Sequence, residues 1–454
     1  MVLNRLRQQK KIAKEKKQHP TMIKQTLNQA WTMMKQHKLF TGIYIAGTSV
    51  SISIIMILFI VIYINVGNIY PEYHRDDILV SIREIHKTPK KKFETNYFNL
   101  DFIETLQREA KQMKAIAVYD IYSSKQQFPI TVDGSNVEIE EEIIFVNDGW
   151  WQVFDYNFVD GKGFTEKEMH EDVAVISESL AMQLFASTKV AGKEIKLNGR
   201  YYRIIGVVQD ATQCTPYSYG KIWLTLYSPF ASLKSYPIHA DEKNSKKFFK
   251  LYARAHKGKR EALLNEIESI FNRYYQPSEE IFDYEIDVVN YWQAAFFLDK
   301  DESVWDALKT YFYIILAVLF IPALNLGGMI SSRMKGRMVE IGVRRAYGAT
   351  GRQILAQVLC ENMLLTLLGA VAGLLLSYVV VYTFSYRMTT LIESHIGIGY
   401  TAEAGNQLSA EMLLNPTIFL CALLMSALLN IASALVPTLL ALRKDIIQSL
   451  YHKR

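Results

Sequence analysis

The chain has 454 residues, of which 50% are hydrophobic and 21% are charged, and its formal net charge at pH 7 is +6. This length accommodates more than one domain. The composition is typical of a membrane protein with a sizeable soluble portion rather than of a wholly soluble protein. The small excess of positive charge is weak evidence for a nucleic-acid partner, because its meaning depends on where along the chain it lies.

The amino-terminal segment, residues 1–39, is strongly basic and has Glu15 as its single acidic residue. Within it, Ile23, Leu27 and Trp31 recur on one helical face, which predicts an amphipathic segment lying along the cytoplasmic surface of a membrane. Basic runs beside a membrane span generally meet anionic lipid headgroups. We therefore expect membrane lipid, and no nucleic acid, as the partner of this segment.

Four stretches of the chain lack charged residues over the length that a membrane span requires. A helix needs about 20 apolar residues to cross roughly 30 Å of hydrocarbon. We therefore predict four transmembrane helices, at residues 40–66, 310–332, 353–384 and 416–442. A cleaved signal peptide is disfavoured for the first, because its apolar run exceeds the usual about 7 to 15 residues and no A-x-A-like site follows it.

The distribution of lysine and arginine orients these helices. Basic residues outnumber acidic ones in segments 1–39, 333–352 and 443–454, whereas segment 385–415 holds Arg387 against three glutamates. By the positive-inside rule, the three basic segments lie in the cytoplasm and 385–415 forms a short loop on the other side. The net positive charge of the chain therefore reflects its membrane topology.

Residues 67–309, between the first and second predicted helices, are too many for a loop and predict a folded extracytoplasmic domain. The stretch 173–185 predicts a strand followed by a helix that Ser177 caps, and Asn198-Gly199 predicts a hairpin turn. The predicted fold class is an α-helical membrane protein with four transmembrane helices and a large α+β extracytoplasmic domain between the first and the second. One lobe inserted into another is an arrangement that fits the mixed helix and strand pattern.

The sequence carries no motif for reaction chemistry. It contains no phosphate-binding loop G-x-x-x-x-G-K-[ST], no H-E-x-x-H, no C-x-x-C and no G-x-S-x-G at a strand-to-helix turn. We therefore predict no catalytic residue, no metal ligand and no directly bound cofactor. The acidic run Glu138–Glu142 fits a solvated strand edge better than a cation site, and Trp150 and Trp151 fit domain core and surface better than a ligand-stacking pair.

The charged segment 333–352, between the second and third predicted spans, predicts a short amphipathic helix. Glu340 lies three residues from Arg337 and four residues from Arg344, so ion pairs can form along one face. From these residues alone, a surface helix that merely sets topology and a helix that docks a partner are equally supported.

The residues after this helix predict a rigid elbow. Gly348 suits a helix C-terminus, and Thr350 with Gln353 forms a capping box that starts the next helix, which runs directly into the third span.

Two features inside the third span bear on assembly. Gly369 and Gly373 form a G-x-x-x-G motif, which permits close approach of another helix and predicts transmembrane packing. Glu361 lies near the cytoplasmic start of the span, where we favour a structural role in which its carboxylate reaches water or Arg352.

Beyond these patterns, the stretch Val339–Leu375, "VEIGVRRAYGATGRQILAQVLCENMLLTLLGAVAGLL", resembles the pattern found before and within the third span of MacB/FtsX-type ABC transporter permeases. The segments Val153–Phe185 and Gly192–Val208 look like parts of the periplasmic core domain of MacB-like permeases. The order of one span, a large outer domain and three spans is similar as well, so the resemblance covers nearly the whole chain.

The resemblance implies a transport subunit that is not itself an enzyme. In this family a dimer of permeases rests on a dimer of cytoplasmic ATPases, and ATP binding and hydrolysis move the outer domains. The implied partners are a separate ABC ATPase and a second permease, identical or different, and ATP acts through the ATPase. Segment 333–352 then becomes a coupling helix, with Arg337, Glu340, Arg344 and Arg345 as the expected contacts to the ATPase.

The resemblance also implies a cellular location and a function. The protein is expected in the inner (cytoplasmic) membrane, with its large domain in the periplasm. An adaptor and an outer-membrane channel are further candidate partners there. The function is mechanotransmission for efflux or export of a peptide, toxin or antibiotic. The alternatives are an FtsX-like regulator of a cell-wall hydrolase, a permease for lipoprotein extraction, and a membrane receptor without an ATPase. The size of the outer domain argues against the regulator, and the short inner segments argue against the receptor.

Overall fold

The computed structural model contains two compact units. One comprises Met1–Val61, Thr310–Phe384 and Leu413–Arg454, and the other comprises Ile62–Lys309 and Ser385–Met412. We call them the membrane unit and the outer unit. The structure describes residues 35, 38–87, 92–95, 98–120, 123–125, 127–134, 138–212, 215, 217–231, 249–275, 283–295, 309, 312, 313, 316, 338–396 and 416–443.

The helices in the described part of the chain are α1 (Lys38–Val66), α2 (Leu100–Glu109), α3 (Trp150–Val153), α4 (Glu178–Phe185), α5 (Arg260–Tyr274), α6 (Tyr291–Ala295), α7 (Met338–Ala346), α8 (Gly351–Ile396) and α9 (Pro416–Arg443). The strands are β1 (Ile78–Lys87), β2 (Lys92–Thr95), β3 (Met113–Asp120), β4 (Gln127–Thr131), β5 (Glu138–Val146), β6 (Phe158–Gly161), β7 (Val173–Ser177), β8 (Glu194–Leu197), β9 (Arg200–Val208), β10 (Ile222–Thr225), β11 (Phe249–Ala255) and β12 (Asp283–Asn290).

Three of the described helices are long and apolar enough to cross a membrane. The candidate spans are Thr41–Ile64 in α1, Gly351–Val381 in α8 and Phe419–Leu440 in α9. They coincide with the first, third and fourth predicted spans. The predicted second span, 310–332, and the predicted amphipathic segment, 1–39, lie almost wholly outside the described residues.

Helix α8 extends farther than its predicted span. It continues to Ile396, so the first part of the predicted loop 385–415 is helical. The reason lies in the sequence, because no glycine or proline interrupts residues 385–396, and Gly397 follows directly.

In the outer unit, six strands close into a ring. The order β10-β7-β9-β8-β4-β5 is completed by a parallel pairing of β10 with β5, in which Ile222 lies opposite Ile143. Ring closure leaves no free edge among these six strands, which satisfies the backbone donors and acceptors of both terminal strands. We call this part the barrel lobe.

Five of the remaining strands form a second lobe with helices on it, whereas β6 pairs with β9 of the barrel lobe. Strands β3, β11, β1 and β12 are consecutive and antiparallel, and α2 packs against α5 with the rings of Phe102 and Phe271 5.7 Å apart. The barrel lobe lies between β3 and β11 in the chain, so one lobe is inserted into the other. This agrees with the mixed pattern of the sequence.

Local sequence signals produce the predicted turns and caps. Asn198 and Gly199 have φ angles of 44° and 85°, which is the left-handed pair that a tight hairpin between β8 and β9 requires. Ser177 accepts a hydrogen bond from the amide of Leu180 at 3.3 Å and so caps α4.

The paired tryptophans belong to the core of the outer unit. Trp150 is buried, and the partly buried Trp151 packs edge-on against Phe164 and Trp223, with ring centroids 5.3 and 5.9 Å away. A Cβ at Gly163 would lie 2.6 Å from the Trp151 ring, so glycine is required for this packing. Both tryptophans therefore serve the core.

Candidate functional site

The elbow between α7 and α8 is fixed by hydrogen bonds at both of its ends. Gly348 has a φ of 91°, its amide donates to the carbonyl oxygen of Arg345 at 3.0 Å, and the amide of Ala349 donates to that of Arg344 at 3.0 Å. This pair of bonds is the Schellman arrangement, in which a left-handed glycine closes a helix. Helix α7 therefore ends at a defined point.

The start of α8 is fixed in the same manner. The amide of Thr350 donates to Gln353 Oε1 at 2.9 Å, and the amide of Gln353 donates to Thr350 Oγ1 at 3.4 Å. This reciprocal pair is the predicted capping box. Only residues 347–350 connect the two helices. Because this connection is short and hydrogen-bonded, α7 and α8 have little freedom to move independently.

A chain of polar side chains links α7 to the membrane-spanning part of α8. Arg344 donates to Glu340 Oε1 at 2.7 Å and also to Gln357 Oε1, and Gln357 in turn donates to Glu361 Oε1 at 3.1 Å. We call these four residues the polar brace. Glu361 is only 2% exposed. The brace thus supplies hydrogen bonding to a buried carboxylate and ties it to the neighbouring helix.

The predicted contact residues have different surroundings. Glu340 and Arg344 lie within hydrogen-bonding distance of each other, and Arg345 is partly buried on the same helix. Arg337 lies outside the described residues. The structure therefore brings Glu340 and Arg344 together as part of the brace.

Sequence reasoning did not single out two exposed apolar residues at the elbow. Val343 is 42% exposed and Tyr347 is 89% exposed, and their spacing of four places both on one face of α7. Buried Ile341 lies two positions before Val343 and so faces away from it. The helical period around Ile341 could have identified this pair, which we call the docking face.

The structure places the two glycines of the third span directly against α1. A Cβ at Gly369 would lie 2.0 Å from Thr48 Oγ1, and a Cβ at Gly373 would lie 2.7 Å from the carbonyl oxygen of Ser49. Real side chains do not approach so closely. The present packing of these helices within the membrane unit therefore has no room for a side chain at either position.

Family comparisons agree with this architecture. Residues 41–270 match the MacB-like periplasmic core domain, and residues 312–446 match the FtsX-like permease C-terminal domain. The chain belongs to the MacB/FtsX-type ABC transporter permeases. This membership confirms the resemblance seen in the sequence, and it makes the protein a membrane permease with a MacB-type outer domain.

Curated relatives of this permease are similar over about half of its length. The ABC transporter permease YknZ of Bacillus subtilis is 25% identical over 53% of this chain and 57% of its own length. The macrolide export ATP-binding/permease protein MacB of Chromobacterium violaceum is 24% identical over 56% of this chain and 37% of its own length. The alignments thus cover only part of these relatives.

Two solved structures are similar to parts of this permease. The extracellular domain of the noncanonic ABC-type transporter YknZ from Gram-positive bacteria gives a TM-score of 0.33 at 14% identity, covering 46% of this chain and 100% of that domain. The periplasmic region of MacB from Actinobacillus actinomycetemcomitans gives a TM-score of 0.34 at 13% identity. The match covers 48% of this chain and 92% of that region.

Proposed function

We propose that this permease converts ATP binding and hydrolysis by a separate ABC ATPase into movement of its outer domain. The observation that carries the proposal is the elbow. A short helix with an exposed aromatic residue is joined to a long candidate span by a four-residue connection that hydrogen bonds hold at both ends. In such an arrangement, a docked protein that displaces the short helix also displaces the long candidate span.

The ATPase is proposed to dock on the face formed by Val343 and Tyr347. Exposed tyrosines are frequent anchors at protein interfaces, because they bury a large area at a small cost in conformational entropy. Glu340 and Arg344 are proposed to hold α7 in position through the polar brace. Arg345 and Arg337 are proposed to supply basic contacts to the ATPase.

The proposed cycle runs in the inner membrane, with two permease subunits, identical or different, on two ATPase subunits. The MacB relatives are named macrolide export ATP-binding/permease proteins, which supports an ATP-driven efflux or export role. Peptides, toxins and antibiotics are the proposed substrate class. An adaptor and an outer-membrane channel would extend the route where an outer membrane exists.

Co-expression of the full chain with its candidate ABC ATPase, followed by mild-detergent purification, tests the proposal. We expect the wild-type complex to hydrolyse ATP. Tyr347→Ala should lower recovery of the ATPase by at least about tenfold, because truncation of an interface anchor typically has effects of this size. Tyr201→Ala is the matched control, since Tyr201 is a partly exposed tyrosine of the outer unit.

A charge-exchange cycle separates an internal role of Glu340 and Arg344 from direct contact with the ATPase. Glu340→Arg or Arg344→Glu alone breaks their ion pair, whereas the double exchange restores a pair of reversed polarity. An internal role predicts that the double variant recovers the ATPase that the single variants lose. Loss in all three variants would assign both residues to direct contacts. If no ATPase binds the folded wild-type permease with or without nucleotide, the proposal fails and a receptor becomes the better explanation.

A further inference from the structure

Within residues 62–295 of the outer unit, the end of α1 and the start of α6 lie close together. The last turn of α1 leads through residues 67–77 into β1, and the chain returns through β12 into α6. Strands β1 and β12 pair antiparallel, with Leu79 opposite Asn290 and Lys87 opposite Asp283. The end of the first span and the segment that leads toward the second are therefore neighbours in the outer unit.

A buried ion pair lies at this place. Glu72 and Arg75 are 0% and 1% exposed, and Arg75 donates two hydrogen bonds to Glu72 Oε2, from Nη2 at 2.9 Å and from Nε at 3.1 Å. Through Nη1, Arg75 also donates to the carbonyl oxygens of Ile64 at 2.8 Å and Gly67 at 2.6 Å. The guanidinium thus satisfies carbonyls that the end of α1 would otherwise leave unpaired, and its charge suits a helix C-terminus.

The other side of the ion pair is held by residues from distant parts of the chain. The hydroxyl of Tyr291 donates to Glu72 Oε2, and the hydroxyl of Ser218 donates to Glu72 Oε1 at 2.9 Å. The guanidinium of Arg75 lies 4.4 Å above the centre of the Tyr291 ring. Burial raises the pKa of Tyr291 well above its ordinary value, so its hydroxyl keeps the proton that it donates.

Stability alone is a weak explanation for such a pair. Buried ion pairs lose much of their attraction to desolvation, and a pair of well-packed apolar residues is often as stable. An ion pair does, however, fix which groups lie next to one another. Here it joins the end of α1, the barrel lobe at Ser218 and the start of α6 at Tyr291.

We infer that four residues, Glu72, Arg75, Ser218 and Tyr291, form a transmission joint. The joint makes the end of α1 and strands β1 and β12 move as one body. Along the chain, α1 is connected to the sheet by segment 67–77, which contains one short turn of 3-10 helix. With the joint, rotation or displacement of the first span is delivered to β1 and β12 together. The inference rests on the proposed function for its role in transport, although the rigidity that it claims is independent of any ATPase.

Hydrogen exchange on the full-length permease in detergent tests the rigidity. The amide of Gly67 donates to the carbonyl oxygen of Tyr63 at 2.7 Å and reports on the end of α1. We expect this amide and those of the β1/β12 ladder to open together in the wild-type protein. Tyr291→Phe keeps the ring but removes one donor to a charged group, and it should speed exchange in residues 64–77 by about tenfold while leaving the barrel lobe unchanged. Equal exchange in variant and wild type would overturn the inference.

The double variant Glu72→Met with Arg75→Met tests the role in transport. It replaces the ion pair by apolar side chains of similar length, so the fold should persist while the bonds to Ile64 and Gly67 are lost. In complex with the ATPase, this variant should bind and hydrolyse ATP but lose the ATP-dependent change in outer-unit exchange that we expect for the wild type. Arg200→Met with Asp172→Met is the control, because that pair, 2.6 Å apart, is exposed and lies in the barrel lobe.

The outcomes separate the two proposals. If the ion-pair variant keeps the ATP-dependent change, the joint is merely structural and the inference fails, whereas the proposed function stands. If the wild type hydrolyses no ATP or binds no ATPase, the proposed function fails, and the exchange comparison with Tyr291→Phe still decides whether the joint is rigid.

Discussion

Replacement of Gly369 by alanine probes the tightest contact in the membrane unit. The added Cβ would lie 2.0 Å from Thr48 Oγ1 and 2.8 Å from Thr48 Cβ. Rotation of the Thr48 side chain relieves only the first contact, because its Cβ is fixed by the helix backbone. The hydroxyl also donates to the carbonyl oxygen of Tyr44 at 2.9 Å, so moving it breaks a hydrogen bond in a buried place.

Two opposing effects determine how much Gly369→Ala changes the free energy of unfolding. Overpacking a tight contact by one methyl group costs about 1 to 3 kcal/mol. Alanine in place of glycine inside a helix stabilises by up to about 1 kcal/mol. Gly42→Ala in α1 isolates the second effect, because nothing lies within 4 Å of the Cβ added there. We therefore expect Gly369→Ala to be less stable than Gly42→Ala by about 1 to 3 kcal/mol.

Unfolding of the purified permease by sodium dodecyl sulfate, followed by circular dichroism, gives this difference. Thr48→Gly removes both clashing atoms, so alanine at position 369 should no longer destabilise when it is compared with Thr48→Gly alone. The same change should not rescue Gly373→Ala, whose Cβ would meet the backbone oxygen of Ser49 at 2.7 Å. If Gly369→Ala and Gly42→Ala unfold alike, the close packing of α8 on α1 does not exist and the reasoning is refuted.

Three further predictions concern other parts of the chain. Gln357→Leu removes the middle of the polar brace and should lower ATP-dependent coupling while the ATPase still binds, as measured by ATPase activity and co-purification of the same samples. Gly348→Ala forces a left-handed alanine at φ 91° and should destabilise the elbow by about 1 kcal/mol, seen as faster hydrogen exchange in α7. Hydrogen bonds from Thr165 and Lys162 lower the pKa of Glu168 to about 2, so the stability that this carboxylate adds is complete above its unfolded pKa of about 4.3 and is lost as the pH falls toward 2. Glu168→Gln should flatten the pH dependence of Thr165 amide protection over that window, and an unchanged profile would contradict the assignment.

Short-range signals made much of the fold predictable from the sequence. The cap at Ser177, the turn at Asn198-Gly199 and the capping box at Thr350 each depend on residues within a few positions of one another, and each is present. Charge-free segments located three of the described helices for the same reason, since a membrane span is a local property of composition.

Long-range pairings could not be predicted in this way. Nothing near β10 in the sequence indicates that it closes the barrel lobe by pairing with β5, because that contact depends on the curvature of all six strands. The ion pair of Glu72 and Arg75 is a similar case. Two charged residues three positions apart after a membrane span favour a solvated surface, and their burial depends on Ser218 and Tyr291, which lie far away in the chain.

At the candidate site, the sequence located the elbow but not the arrangement of the side chains around it. The spacing of Glu340 and Arg344 correctly indicated that they can pair, and that pairing directs both toward the brace. The exposure of Tyr347 was not predicted, although its spacing of four from Val343, opposite Ile341 on the helix, could have indicated it.

The most direct test of the account is hydrogen exchange of the outer unit in the wild-type permease bound to its ABC ATPase, with and without ATP. The account predicts that ATP changes the protection of residues 64–77 and of the β1/β12 ladder together, and that an ATPase unable to bind ATP abolishes this change. An outer unit that exchanges identically in both conditions, while the complex hydrolyses ATP, would contradict the claim that this permease transmits the energy of ATP to its outer domain.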